Sequence, residues 1–108
     1  MERESVIFAL NGKTLTASIL VELDHHSAKG VRELIDGRLF YDRPEVLVLD
    51  FSGVGFMDSS GVALILARCE CAKAIGAEVR VRGLSESLYK LLKLSGVDRV
   101  KNLTVSGL

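Results

Sequence analysis

Two segments of helical periodicity, running from about residue 59 to Gly76 and from Ser85 to Gly96, each lie between short strand-like runs, and this alternation constrains the fold most. Val46-Leu47-Val48-Leu49 is unbroken and apolar, as suits a middle strand covered on both faces or deep in a sheet. Glu78-Val79-Arg80-Val81-Arg82 alternates charged and apolar residues, as a half-solvated strand nearer an edge does. A short last strand is expected within residues 100–105. Strand, helix and strand in succession imply parallel pairing through right-handed crossovers.

Upstream, residues 5–10 and 14–23 are β-rich and joined through Asn11-Gly12, a dipeptide suited to a type I′ hairpin turn. Val31, Leu34, Ile35 and Leu39 recur at helical spacing and Pro44 ends the pattern, so a helix is expected over about 26–41. The order ββ-α-β-α-β-α-β describes one α/β domain over residues 1–108. On the helix after Ser59 or Ser60, Val62, Ile65, Leu66, Cys69 and Ala72 form one apolar stripe and Leu64, Ala67, Cys71, Ala74 and Ile75 another, with Arg68 between them. Such a helix is either buried on two sides or shows apolar surface to a partner. The following helix is capped by Ser85, with Leu84 able to staple onto Tyr89 and Gly96 as its stop.

Composition removes several functions. Lys and Arg number 14 and Asp and Glu 14, so the net charge is zero and nucleic acid is not an expected partner. The longest apolar run, residues 62–67, is far short of a bilayer span, and residues 1–5 do not open a signal peptide, so a soluble, cytoplasmic protein is expected. Cys69 and Cys71 point roughly opposite ways on a helix and read as buried small hydrophobes rather than a disulfide or metal site. His25-His26 lacks companion ligands, so no metal and no cofactor is expected.

Asp58-Ser59-Ser60-Gly61 lacks the glycine two residues before the serine that a hydrolase elbow needs, and Gly53 and Gly55 supply only half of a dinucleotide fingerprint. No catalytic residue is assigned, and the protein is not expected to be an enzyme. The loop over 51–61 has a plain structural role available, with Asp58 or Ser59 capping the helix and the glycines shaping the turn. It also has a functional one, because a helix N-terminus tolerates the charge of a phosphate placed on a serine.

The string Asp50-Phe51-Ser52-Gly53-Val54-Gly55-Phe56-Met57-Asp58-Ser59-Ser60-Gly61, with Glu22-Leu23-Asp24-His25-His26-Ser27 upstream and residues 88–97 downstream, resembles the STAS domain of bacterial anti-sigma factor antagonists, most closely those of sporulation. The resemblance implies a small mixed β-sheet with an N-terminal hairpin and helices mainly on one face. It implies that the unphosphorylated form binds an anti-sigma factor, itself a GHKL-type serine kinase, and releases the sigma factor, thereby regulating transcription. It further implies that phosphorylation of Ser59 switches the protein off and that a PP2C-type phosphatase resets it. A partner surface of Asp24, Met57, Asp58, Ser59, Ser60, Gly61 and Val62 is expected. The alternative is a STAS-type ligand-sensing or scaffold module in another signalling complex. Two departures stand out: Val21 occupies a position where the family has Gly, and the 108 residues stop short of a family C-terminal helix, which leaves room for a homodimer.

Overall fold

The computed structural model describes residues 4–106. Expectations placed on residues 1–3 and on Leu108 lie outside that range. The described residues run β1 (Val6–Asn11), β2 (Thr14–Ile19), α1 (Ala28–Asp42), β3 (Val46–Asp50), α2 (Ser59–Ala74), β4 (Glu78–Arg82), α3 (Glu86–Leu94), a 3₁₀ turn (Val97–Arg99) and β5 (Leu103–Val105).

They form a five-stranded mixed sheet in the order β1-β2-β3-β4-β5, with β1 antiparallel to β2 and every later pair parallel. Because each crossover steps to the next strand in the same direction, a constant handedness puts α1, α2 and α3 on one face. Burial follows from this. On β2, Leu15, Ala17 and Ile19 are buried, and on β4, Val79 and Val81 are buried while Glu78, Arg80 and Arg82 are exposed. The core joins these to Leu47 and Leu49 of β3, Val31, Ile35 and Leu39 of α1, and Val62, Ile65 and Cys69 of α2. Val48 faces the helix-free side yet is buried, because it sits in register between Thr16 and Arg80 in the middle of the sheet.

The hairpin turn differs from expectation. Asn11 pairs with Thr14, so the two-residue loop is Gly12-Lys13, and Gly12 alone has a positive φ, of 63°. A type I′ turn needs positive φ at both central residues, whereas this sign pattern is that of type II′, which places Gly first. β2 also stops at Ile19, four residues early, because the chain leaves the sheet to make the bridge described below. β5 begins only at Leu103, because residues 100–102 are taken by a turn in which the Leu103 amide donates to the Val100 carbonyl at 3.2 Å. Next to β5, the Asn102 amide donates to the carbonyls of Cys69 and Ala77.

The third helix matches its signals: the Ser85 hydroxyl accepts from the Leu88 amide, and Gly96 follows the helix end at φ 73°. On α2 two readings change. Cys69 is buried, and burial pushes its thiol up to about 11, but Cys71 is exposed. Arg68, read as standing between two apolar stripes, is buried at 2% exposure and reaches Asp36 of α1. The Nε to Oδ1 distance is 2.8 Å, yet neither atom has hydrogen-bond geometry to a partner, so charge rather than a directed bond holds the two helices at this point.

Candidate functional site

The site is made by two loops that follow the C-terminal ends of β2 and β3. Leu23 pairs with Met57 in an isolated parallel bridge. The Leu23 amide donates to the Phe56 carbonyl at 3.0 Å, and the Asp58 amide donates to the Leu23 carbonyl at 3.1 Å. A third link comes from Glu22, whose carboxylate accepts from the Gly55 amide at 3.1 Å. Three bonds across the pair hold Asp24 in a fixed place relative to Asp58 and Ser59.

Each loop is also tied to the helix it precedes. Asp58 is the N-cap of α2, its carboxylate accepting from the Ser60 amide at 2.7 Å. Of the two capping residues open from sequence, Asp58 holds the role, which leaves the Ser59 hydroxyl outside it. Ser59 is exposed and Ser60 half-buried. Asp24 accepts from the amides of His26 and Ser27 at 2.8 and 2.9 Å, and the Ser27 hydroxyl donates to the Glu22 carbonyl. The Ser27 and His26 amides hold the Asp24 carboxyl below its ordinary 3.8, so it carries its charge at neutral pH.

The expected site residues therefore fall into two layers. Asp24, Asp58, Ser59 and Ser60 reach the surface in full or in part, whereas Met57, Gly61 and Val62 are buried beneath it. Gly61 has a steric reason to be glycine: a Cβ there would lie 2.7 Å from the Met57 Sδ and 2.9 Å from its Cβ. Met57 thus locks its loop onto the first turn of α2. Sequence reasoning did not single out Phe56, which is 54% exposed next to buried Met57. The signal was present, because adjacent residues of an extended segment point to opposite sides.

Beside Ser60, between α1 and α2, lies a groove of about 480 Å³. Its lining includes His25, Lys29 and Arg32, none of them singled out from sequence as groove residues. Among the described residues no group of three or more His, Cys, Asp or Glu side chains could hold a metal ion, and no helix is long and apolar enough to cross a membrane.

A mixed sheet with its helices on one face, and a helix-start serine beside two bridged loops, defines a small α/β domain whose candidate surface is a loop cluster. The chain belongs to the STAS domain family, whose pattern matches residues 7–106. It is 30% identical over 95 residues to the anti-sigma F factor antagonist of Lysinibacillus sphaericus, covering 88% of this chain and 74% of that one. To the anti-sigma F factor antagonist of Paenibacillus polymyxa it is 34% identical over 79 residues, covering 73% and 68%. Its fold is similar to that of the Bacillus cell fate determinant SpoIIAA in the phosphorylated form, with a TM-score of 0.70 and 24% identity over 94% of this chain and 91% of that one.

Proposed function

We propose that this protein is an anti-sigma factor antagonist switched by phosphorylation of Ser59. The observation that carries this reading is an exposed Ser59 hydroxyl on the first turn of α2, left free of capping by Asp58 and held beside Asp24 by the Leu23 to Met57 bridge. The relatives named as anti-sigma F factor antagonists and the phosphorylated form of the SpoIIAA fold support it.

In the unphosphorylated form, Asp24, Phe56, Ser59 and Ser60 face an anti-sigma factor that is also a serine kinase of the GHKL type, and binding it frees the sigma factor. Buried Met57, Gly61 and Val62 shape this surface from below. The kinase supplies the chemistry and this domain supplies the acceptor oxygen. The Ser59 hydroxyl attacks the γ-phosphorus of ATP, loses its proton to a base on the kinase, and ADP leaves.

The product carries about 1.5 to 2 additional negative charges at neutral pH. The N-terminus of α2 accommodates that charge, so the fold persists. The surface does not, because the phosphate joins Asp24 and Asp58 on one side of the helix start. Burying crowded, unpaired charge in an interface costs several kcal/mol, on the order of a hundredfold or more in affinity at about 1.4 kcal/mol per tenfold. A PP2C-type phosphatase restores the binding form, and the cycle runs in the cytoplasm. Incubation with the cognate kinase and ATP, followed by peptide mapping in a mass spectrometer, is expected to place one phosphate on Ser59; phosphate elsewhere, or on Ser59→Ala, contradicts the reading.

A further inference from the structure

The groove beside Ser60 has a chemistry of its own. His25, Lys29 and Arg32 lie along its α1 side, and Ala63, Leu64 and Ala67 supply an apolar wall from α2. No carboxylate is among its lining residues. Lys29 and Arg32 are exposed, and among the described residues neither forms an ion pair. Asp36, one turn beyond Arg32, is committed to Arg68.

The two sides of the helix start therefore differ in sign. Glu22, Asp24 and Asp58 cluster at the bridged loops, while Lys29 and Arg32 stand over the groove, so a chain of zero net charge carries a local division of charge across its candidate partner surface. Lys29 and Arg32 are three residues apart on α1, which puts them on one helix face. Two cations in line above an apolar wall complement a segment that offers carboxylates at similar spacing and an aliphatic side chain between them. A lone inorganic anion would leave the wall of Ala63, Leu64 and Ala67 uncovered.

We propose that this groove seats an acidic, aliphatic segment of the protein that binds at Ser59, its carboxylates on Lys29 and Arg32 and its apolar side chain against Ala63 and Ala67. The identity of that partner rests on the function proposed above, whereas the ligand chemistry of the groove can be read without it. Phosphorylation at the neighbouring Ser59 then acts on one half of a two-part contact, and the groove sets partner preference through charge.

The test titrates the isotopically labelled full chain with an acetylated acidic peptide, ELEELE, and with its basic counterpart KLKKLK, and reads amide chemical shifts. The acidic peptide is expected to shift residues 25–32 and 60–67, the basic one to leave them unmoved, and the doubly reversed variant K29E/R32E to lose the response while keeping its other amide positions. Absence of shifts at millimolar acidic peptide, equal shifts with both peptides, or a response that survives in K29E/R32E overturns the proposal. Against the purified kinase, K29E/R32E is expected to bind about tenfold more weakly with a shallower dependence on salt. Unchanged affinity there also overturns it. Failure of the unaltered chain to bind the kinase at all would instead contradict the proposed function, with the peptide titration still deciding the groove.

Discussion

Leu23 and Met57 form one parallel bridge outside the named strands, and through it the loop after β2 and the loop after β3 become a single surface. The Leu23 amide and carbonyl are both used, the first by Phe56 and the second by the Asp58 amide. Asp24 and Asp58, the residues that follow each half of the bridge, cannot move independently while it holds, and Ser59 comes directly after Asp58. Both side chains of the bridge are buried, so it is protected from competition by water.

Gly61→Ala tests the packing under this surface. The added methyl would meet Met57 at distances that force it to shift, and overpacking of this kind costs about 1 to 3 kcal/mol. Urea unfolding is expected to show that loss, and amide shifts at Phe56 and Asp58 should accompany it. A variant as stable as the parent, with those amides unmoved, would show that Met57 does not lock the loop.

The Asp36 to Arg68 contact is asymmetric, with side-chain exposures of 39% and 3%. Removing Asp36 leaves a buried guanidinium without its countercharge, so Asp36→Ala is expected to cost about 3 kcal/mol or more. Arg68→Met leaves a carboxylate that water can reach and fills the space with an apolar chain, so its cost should be about 1 kcal/mol or less. Denaturant titrations of the two variants side by side decide this, and equal losses would contradict it.

Acid should weaken the fold through Asp24 and Asp50. The amides of Ser27 and His26 lower the first; for the second, burial raises the carboxyl but hydrogen bonds from Ser52 and the Arg82 guanidinium outweigh it. Both folded-state values lie below the ordinary 3.8, so each group's contribution is complete above that pH and is lost as pH falls through the lower folded value. Thermal melts from pH 7 downward are expected to decline in that acid range, less steeply for Asp50→Asn. An identical acid slope in Asp50→Asn and the parent would remove Asp50 from the account.

Element order, the middle strand and the caps at Ser85 and Gly96 were legible because hydrophobic periodicity and capping chemistry are local. The turn at Gly12 was misjudged because Asn11-Gly12 suits I′ by composition, while the register of Asn11 with Thr14 decides which two residues are central. Arg68 was beyond local reasoning, since its burial depends on Asp36 arriving from another helix. The serine and the aspartates of the site were visible as motifs, and their layering was not. Only the bridge and the close approach of Met57 to Gly61 distinguish surface residues from support.

The central claim is that one phosphate on Ser59 changes partner affinity without changing the fold. Its most direct measurement is calorimetric titration of the purified anti-sigma factor kinase with the unphosphorylated chain and with the homogeneously Ser59-phosphorylated chain, both checked by circular dichroism. The account predicts matching spectra and an affinity lower by about two orders of magnitude or more in the phosphorylated form. Equal affinities would contradict it.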